Sequence, residues 1–287
     1  VLFFSNRGRV YRLKCYEIPE SSRTARGVNV VNLLPLEPEE KITSMIRVEE
    51  FRDDQYLVMV TKNGIIKRTE LSAYHTTRKG GVIAISLDEE DDLAWVRLTD
   101  GNCEVFVATK NGMIIRFSEQ DARPLSRTAR GVKAISLEDG DEVIGMARIR
   151  EGATLLTVTT KGQGRRTRLE DYRVQNRAGK GLTNYHVSEE KGTVAGIKVV
   201  DDTDDIILIT DDGIIIRFAV DQIPVQSRYA GGVRVMRTSE NSQVVTLARA
   251  EHEEEEESAE IPQEPAGQET EEPSGAPSSE NPSPAQE

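Results

Sequence analysis

The chain has 287 residues, 30% of them charged and 37% hydrophobic, and no apolar run approaches the roughly 20 residues that span a bilayer. This composition is that of a globular protein, and neither a membrane segment nor a signal peptide is expected. The net charge of −12 is unevenly placed, because residues 251–287 contain 13 Glu and neither Lys nor Arg. The first 250 residues therefore balance 37 basic against 36 acidic side chains and are close to neutral. The opening run Val1-Leu-Phe-Phe4 reads as a strand, so we expect a piece of a longer protein.

Short β-branched or aromatic runs recur along the chain, and each is followed by a tight turn that ends in glycine. The runs cover residues 2–5, 57–61, 105–109, 155–159 and 206–210, and the turn glycines are Gly8, Gly64, Gly112, Gly162 and Gly213. Turns that end in glycine favour two-residue hairpins, since glycine supplies the positive φ that they need. We therefore predict five hairpins, whose return strands cover 10–13, 65–69, 113–117, 165–169 and 214–218.

Each hairpin is followed by two further apolar segments. The predicted third strands include residues 28–33, 82–87 and 132–137, and the predicted fourth strands cover 42–46, 93–96, 143–147, 194–197 and 244–248. Four short strands per unit of about 50 residues, with almost no helical periodicity, indicate an all-β blade. Five blades in radial array would bury their faces against one another and leave only short edges.

A basic loop precedes the third strand of every repeat. The copies are Ser22-Arg-Thr-Ala-Arg-Gly-Val28, Arg78-Lys-Gly-Gly-Val82, Ser126-Arg-Thr-Ala-Arg-Gly-Val132, Asn176-Arg-Ala-Gly-Lys-Gly-Leu182 and Ser227-Arg-Tyr-Ala-Gly-Gly-Val233. Their closing glycines lie 54, 50, 50 and 51 residues apart. A fixed period of this size is typical of a repeat architecture, and it would place the loops at equivalent positions on one rim.

Five basic loops in register predict a continuous positive track. Glycine beside arginine suits phosphate binding, because the backbone N–H can approach while the guanidinium contacts phosphate oxygens. Aromatic residues are sparse near the loops, which favours duplex phosphate contacts over base stacking. The candidate DNA-binding residues are Arg23, Arg26, Gly27, Arg78, Lys79, Gly81, Arg127, Arg130, Gly131, Arg177, Lys180, Gly181, Arg228 and Gly232.

An arginine also stands four residues after each turn glycine: Arg12, Arg68, Arg116, Arg166 and Arg217. Two interpretations remain open for this series. The side chains could widen the basic track, or they could lie on the strand surface and pair with the acidic turn of a neighbouring repeat.

No catalytic or metal-binding motif is present in the sequence. There is no nucleophile elbow, P-loop, zinc-protease helix or Cys-x-x-Cys pair. Acidic clusters such as 88–92 and 138–142 recur at one place in each repeat, which indicates solvated turns. Cys15 and Cys103 have no partner at ligand spacing, so we expect buried free thiols, and we expect Trp95 in the core.

The last 37 residues differ from the rest in composition. They combine an unbroken acidic run at 253–257 with Pro, Ser, Gly and Gln. So little apolar surface cannot offset the roughly 1–2 kcal/mol of backbone entropy per ordered residue. We predict two domains: residues 1–250, with repeats of about 1–54, 55–103, 104–152, 153–204 and 205–250, and a disordered acidic tail at 251–287.

The first 40 residues carry a specific resemblance. The segments Phe4-Ser-Asn-Arg-Gly-Arg-Val-Tyr-Arg-Leu-Lys14, Tyr16-Glu-Ile-Pro-Glu20, Ser22-Arg-Thr-Ala-Arg-Gly27 and Val31-Asn-Leu-Leu-Pro-Leu-Glu37 closely resemble the C-terminal domain of DNA gyrase A subunits. The resemblance extends over roughly residues 1–250, and the acidic tail is also similar to that family. It implies a five-bladed β-pinwheel, a propeller-like disc that wraps duplex DNA around its rim.

The resemblance also implies a larger enzyme around this domain. Its parent would be an ATP-dependent type IIA topoisomerase in the cytoplasm, associated with the nucleoid, which introduces negative supercoils as a tetramer of two A and two B subunits. ATP and Mg would be used by the cleavage core and the B subunit, so we expect no cofactor and no catalytic residue in this chain. The family's Gln-Arg-Arg-Gly-Gly-Lys-Gly box is absent, and the nearest copies are Asn176-Arg-Ala-Gly-Lys-Gly181 and Thr77-Arg-Lys-Gly-Gly81. We therefore expect that the blade carrying the box lies upstream of Val1.

Two alternatives stay open at this point. The equivalent domain in the A-type subunits of topoisomerase IV is similar but usually has fewer or more degenerate loops. A protein-binding β-propeller scaffold is a different class, and the single tryptophan and the lack of a Trp-Asp signature argue against it.

Overall fold

A computed structural model describes residues 1–22, 24–239 and 241–252. The predicted candidate Arg23 and the acidic segment 253–287 lie outside these residues. Residues Val1–His252 form one compact unit. None of the helices in this described part is long and apolar enough to cross a membrane.

The five predicted blades are present, and the protein is all-β. Four are four-stranded antiparallel sheets, and the fifth has three strands among the described residues. From the inner to the outer strand, blade 1 contains β3 (Ile42–Ile46), β1 (Leu2–Ser5), β2 (Arg9–Arg12) and β6 (Val82–Ile83); blade 2 contains β7 (Leu93–Thr99), β4 (Tyr56–Thr61), β5 (Ile65–Glu70) and β10 (Val132–Lys133).

The other three blades repeat this order. Blade 3 contains β11 (Val143–Arg148), β8 (Glu104–Thr109), β9 (Met113–Ser118) and β14 (Leu182–Thr183); blade 4 contains β15 (Val194–Val200), β12 (Thr154–Thr159), β13 (Gln163–Arg168) and β18 (Val233–Arg234); blade 5 contains β19 (Val244–Glu251), β16 (Asp204–Thr210) and β17 (Ile215–Ala219). Short 3₁₀ helices follow or connect the strands at Cys15–Glu17, Val30–Asn32, Leu71–Tyr74, Glu119–Asp121, Leu169–Asp171 and Val220–Gln222.

The outermost strand of each four-stranded blade comes from the following repeat. β6 belongs to the second repeat and pairs with β2 of blade 1, and β10, β14 and β18 pair in the same way with β5, β9 and β13. The predicted third strands were therefore wrong in extent and placement, because only two residues of each are strand and they join the preceding blade. The predicted strand at 28–33 was also wrong, since Val30–Asn32 is a 3₁₀ helix.

The core is divided into layers between successive blades. Phe4 of blade 1 packs in one cluster with Met59 of blade 2, and three further clusters join blades 2 to 3, 3 to 4 and 4 to 5. A fifth cluster covers the outer face of blade 1, where Leu34 packs on Phe3 and Tyr11. Burial between the blades is thus what fixes their order and holds each rim segment in register.

Two predictions about single residues need correction. The thiols are free, but Cys15 is exposed and Cys103 is only partly buried, with its Sγ 3.2 Å from Asp100 Oδ1. Both lie near the ends of strands, where polar neighbours replace the core that was expected. Trp95 packs against the second core cluster but stays partly exposed.

Candidate nucleic-acid interface

The basic loops of repeats 2 to 5 occupy equivalent positions on four successive blades. In each, the residue after the loop glycine pairs with the second residue after a hairpin glycine of the preceding blade. The four pairs are Val82 with Val10, Val132 with Ile66, Leu182 with Ile114 and Val233 with Gly164. Because the register is the same, each loop leaves its blade at the same point.

Glycine is required where the loop meets the sheet. Gly131 has φ 108° and Gly181 has φ 80°, a region that side-chain-bearing residues rarely adopt. A Cβ on Gly131 would lie 2.6 Å from the Ile66 carbonyl oxygen, and one on Gly181 would lie 2.3 Å from that of Ile114. The predicted loop glycines therefore serve close backbone approach within the protein.

The first arginine of three loops is a clamp between neighbouring repeats. Arg177 donates from Nη1 to the Lys133 carbonyl at 3.0 Å, and Arg228 donates to the Thr183 carbonyl at 2.5 Å. Arg127 donates in the same way to the Ile83 carbonyl. In every case the acceptor is the second residue after the glycine of the preceding loop, so the loops are tied one to the next.

Two serines reinforce this loop-to-loop connection. Ser86 donates its hydroxyl to the Thr128 carbonyl at 2.7 Å, and Ser136 donates to the Ala178 carbonyl at 2.8 Å. Their backbone N–H groups donate to the next carbonyl of the same loops. Side chain and backbone together make the loops of repeats 2, 3 and 4 a hydrogen-bonded series.

Buried cations lie beneath the loops of repeats 3 and 5. Lys67 is fully buried and donates from Nζ to the Ala84 carbonyl at 2.5 Å and to the Arg127 carbonyl. Burial lowers the pKa of Lys67 to about 7, and repulsion from Arg127 contributes to that lowering. Arg165, which is 1% exposed, occupies the position in its repeat that Lys67 has in the second repeat, and it donates from Nη1 to the Ala230 carbonyl at 2.5 Å.

The basic side chains at the loop tips face solvent. Arg78 and Lys79 are exposed in the second repeat, as are Arg130 in the third and Lys180 in the fourth. Arg130 pairs with Asp88, and Lys180 Nζ lies 3.7 Å from Glu138 Oε1, so acidic turns of the preceding repeat contact the loops. Exposed pairs of this kind are weak because water screens them, so a phosphate can displace the carboxylates.

Sequence reasoning missed several exposed cations beside the loops. Lys133 and Arg234 are exposed at the second position after the loop glycine, and Arg123 and Arg173 are exposed eight residues before it. Aligning the repeats on their loop glycines would have revealed these residues, because each pair falls at equivalent positions in two repeats. These residues extend the positive surface on both sides of the loops.

The first loop differs from the other four. Arg26 and Gly27 are exposed, and no described atom lies within 4 Å of a Cβ built on Gly27. This loop has no preceding blade among the described residues, so its glycine has no outer strand to approach. The structure therefore brings four of the five predicted loops to equivalent positions.

The arginine series of the return strands is structural rather than part of the track. Arg68 is 7% and Arg166 is 4% exposed. Arg166 donates from Nε to the Ile223 carbonyl at 2.6 Å and pairs with Asp202, while Arg116 binds Glu104 and the Leu169 carbonyl. These side chains fasten each return strand to neighbouring segments. The predicted pairing with the acidic turn of a neighbouring repeat was wrong for Arg116 and Arg166, whose acidic partners Glu104 and Asp202 lie in their own repeats.

A second positive surface lies on the inner strands. Arg97, Lys198 and Arg249, from β7, β15 and β19, line one cavity together with Arg148 and Arg150. Burial lowers the pKa of Lys198 to about 8, with a contribution from the nearby Arg97 and Arg249 charges. Asp204 compensates part of this charge by pairing with Arg150 and Arg249.

One group of side chains in the described residues has metal-ligand geometry. Potential ligand atoms of Asp100, Cys103 and Glu119 lie within 4.8 Å of one another. The carboxylate of the fully buried Glu119 already accepts hydrogen bonds from Thr99 Oγ1 at 2.6 Å and from the Cys103 N–H at 2.8 Å. The group is thus explained as a structural network at the base of blade 3.

Comparisons with known proteins agree with this architecture. The family described as "DNA gyrase C-terminal domain, beta-propeller" matches five segments: 1–49, 55–100, 104–150, 153–201 and 204–251. The DNA gyrase A subunit of Staphylococcus aureus (strain NCTC 8325 / PS 47) is 43% identical over 263 residues, which cover 91% of this chain and 30% of that protein. The same subunit of Staphylococcus epidermidis is 43% identical over 256 residues, 88% of this chain and 29% of its own length.

Two solved structures share the fold. A C-terminal domain of DNA topoisomerase IV matches with a TM-score of 0.81 and 28% identity, over 87% of this chain and 78% of its own. A DNA gyrase A C-terminal domain matches with a TM-score of 0.76 and 26% identity, over 87% and 81%. The chain spans about a third of the length of the curated relatives, and by its five matched repeats it belongs to the DNA gyrase C-terminal domain family.

Proposed function

We propose that this chain binds duplex DNA along its row of basic loops and curves the duplex from blade to blade. The observation that carries the proposal is the shared register of four loops, each hydrogen-bonded to the preceding repeat. The loops of repeats 2, 3 and 4 present exposed cations, and the exposed Arg234 stands two residues after the glycine of the fifth loop. Repeated cations at a fixed structural interval suit a polymer whose charges also repeat.

The contacts expected from these loops are to phosphate. Arg130 and Lys180 carry exposed cationic ends, and the clamping arginines keep the loop backbones in place before DNA arrives. Among the loops of the described residues, only Tyr229 adds an exposed aromatic ring, and Arg228 stacks on it at 4.5 Å. Such an interface positions a duplex without reading its bases, so little sequence preference is expected.

The wider role follows from the relatives. They are named as A subunits of DNA gyrase, which supports a whole protein that acts as an ATP-dependent type IIA topoisomerase and introduces negative supercoils. In that protein the partners would be a second A-type chain and the B subunits. ATP and Mg would bind outside this domain, and the whole protein would act in the cytoplasm. The curated gyrase chains at 43% identity favour this assignment over topoisomerase IV. The solved structures do not separate the two, because the topoisomerase IV domain is 28% and the gyrase domain 26% identical to this chain.

Salt dependence of binding to a labelled random duplex tests the proposal. If about five to eight phosphates are neutralised, the logarithm of the binding constant should fall with the logarithm of salt concentration at a slope near −5 to −7. The double variant Arg130→Ala/Lys180→Ala should reduce the magnitude of that slope by about 2, since each phosphate contact contributes about 0.9.

Arg47→Ala/Arg52→Ala is the matched control for this variant. Arg47 pairs with Glu49 and Arg52 with Asp54 on the surface, so the control also removes two exposed, ion-paired cations, but outside the loops. Its slope should equal that of the parent chain. An equal change in both variants would show that net charge, and not the loops, governs binding.

A further inference from the structure

A second periodic series of cations follows the inner strands, away from the basic loops. One basic residue stands at or close to the carboxyl end of the inner strand in each blade, and successive members lie 50, 51, 50 and 51 residues apart. A constant period on equivalent strands places these residues at equivalent positions in the blades. The series consists of Arg47, Arg97, Arg148, Lys198 and Arg249.

The second and third members of the series face each other. Arg97 is paired across the strands with Val58, and Arg148 is paired with Val105. Val58 and Val105 both belong to the core cluster between blades 2 and 3. Directly opposed residues of paired strands lie on one face of the sheet. Arg97 and Arg148 therefore lie on the two facing sides of the same blade interface.

The fourth and fifth members repeat this arrangement between blades 4 and 5. Lys198 is paired with Leu156, and Arg249 is paired with Ile206. Leu156 and Ile206 both belong to the core cluster that joins these two blades. The two facing pairs of cations line a single cavity of about 500 Å³, which we call the inner cavity.

Carboxylates offset part of the positive charge of the inner cavity. Arg249 Nη1 lies 2.9 Å from Asp204 Oδ1. Arg150, which also lines the cavity, has Nη1 2.6 Å from Asp201 Oδ2 and Nη2 3.3 Å from Asp204 Oδ2. Two carboxylates thus compensate these two arginines.

The other three cations have no such partner in the part of the chain that the structure describes. No carboxylate oxygen of a described residue lies within 4.0 Å of the charged nitrogens of Arg97, Arg148 or Lys198. Arg97 donates from Nη1 to the carbonyl of its own neighbour Val96 at 2.8 Å. The pKa of Lys198 falls to about 8, first through burial and then through the Arg97 and Arg249 charges. Like charges that are partly buried without a counter-ion are unfavourable, so the cavity is suited to an anion.

Phosphate groups match this arrangement in charge and geometry. A phosphate group carries about −1.5 to −2 charges near pH 7 and three acceptor oxygens, and a guanidinium can donate two parallel hydrogen bonds to it. Three uncompensated cations exceed the charge of one such group. The cavity volume lies in the range of about 300–1,000 Å³ that is typical of small-molecule sites. A duplex is too wide for it, since its major groove alone measures about 12 Å across.

We propose that the inner cavity binds a small anion with more than one phosphate group, at a site separate from the basic loops. The anion would bridge the two facing pairs of cations and supply the counter-charge that the described residues lack. The rival occupant is the acidic run of the chain itself at 253–257, which begins four residues after Arg249.

Calorimetric titration of the full chain with inorganic tripolyphosphate, in the absence of Mg, tests the proposal. One tripolyphosphate should bind per chain, and orthophosphate should bind more weakly. Arg97→Met and Lys198→Met should each weaken binding about tenfold or more, because each removes a charge-assisted contact. Arg47→Met is the matched control and should bind like the parent chain. Arg47 belongs to the same series, but its side chain is 80% exposed, pairs with Glu49 at 2.7 Å and lies outside the lining of the inner cavity.

Thermal unfolding of the same variants separates binding from a structural role. Without the anion, Lys198→Met should be at least as stable as the parent chain, because it removes a cation that has no described partner. Tripolyphosphate should raise the unfolding temperature of the parent chain and not that of Lys198→Met. A saturating random duplex should leave tripolyphosphate binding unchanged, and Lys198→Met should keep the salt slope of DNA binding.

Four results would overturn the proposal. The full chain would not bind tripolyphosphate if its own acidic run fills the cavity. Displacement of tripolyphosphate by the duplex would place the anion on the loops. Equal loss of binding in Arg47→Met would show that only net charge matters, and equal affinity for orthophosphate would show that a single phosphate group suffices.

Discussion

Two glycine substitutions measure how much the packing of a basic loop on the preceding blade contributes to stability. Gly27 and Gly181 occupy the same position in their repeats, with φ 73° and 80°. A Cβ on Gly181 would lie 2.3 Å from the Ile114 carbonyl oxygen, whereas a Cβ on Gly27 meets nothing within 4 Å in the described structure. Gly181→Ala and Gly27→Ala therefore share the backbone strain and differ in the clash.

The expected free energies follow from these contacts. The left-handed conformation costs an alanine about 1–2 kcal/mol, and this loss of unfolding free energy is expected in both variants. In Gly181→Ala the backbone must also shift to relieve the clash, which lowers the unfolding free energy by about a further 1–3 kcal/mol, as at other overpacked sites. If β14 separates from β9, the hydrogen bond from the Asn184 N–H to the Gly112 carbonyl is lost as well. Gly181→Ala should thus be less stable than Gly27→Ala by at least about 1 kcal/mol.

Urea unfolding of both variants gives the two free energies. Similar slopes with urea would show that both variants expose the same surface on unfolding. Hydrogen exchange should in addition show lost protection around Leu182 in Gly181→Ala only. Equal destabilisation of the two variants would refute the reasoning, because the close approach of the loop to blade 3 would then contribute nothing.

Three further predictions concern charge. Because Lys67 loses its proton near pH 7 in the fold but near 10.4 when unfolded, unfolding free energy should rise with pH between these values by up to about 1.4 kcal/mol per unit. Urea titrations at pH 7 and pH 9 should show this gain, and Lys67→Met should lack it. Asp88→Asn should tighten DNA binding at low salt by removing a competitor of phosphate for Arg130, whereas Asp54→Asn, on the surface outside the loops, should tighten it less. Arg166→Met should lower unfolding free energy by about 1–3 kcal/mol, because the Ile223 carbonyl loses its donor, yet leave the salt slope of DNA binding unchanged.

The hairpins of the fold could be predicted because their determinants are local. A turn such as Lys110-Asn-Gly112 specifies a reversal from three adjacent residues, and the flanking apolar runs then pair as β8 and β9. The outermost strand could not be assigned in this way. Val132 pairs with Ile66, in the preceding repeat, and a periodic sequence gives a segment the same appearance in either blade.

The first and third loops show this limit most clearly. Residues 22–28 and 126–132 are identical in sequence. Gly131 nevertheless lies against the Ile66 carbonyl, while Gly27 has open space around it. The difference is the presence of a preceding blade, which is information that the seven residues do not contain.

The candidate site was predictable in its residue types and only partly in their roles. Periodic Arg-Gly pairs identified the rim, and the basic ends Arg130 and Lys180 are exposed as a binding surface requires. Arg177 and Arg228 instead hold carbonyls of the preceding loop. A guanidinium that binds a backbone carbonyl and one that awaits a phosphate have the same sequence signature, so only the structure separates them.

Hydrogen exchange with and without a saturating random duplex tests the central claim most directly. If DNA follows the rim, backbone protection should increase in the loops at 78–81, 127–131, 177–181 and 228–232 and stay constant on the inner strands that carry Arg97, Lys198 and Arg249. Protection of those inner strands without change in the loops would place the DNA on the inner positive surface and contradict the account.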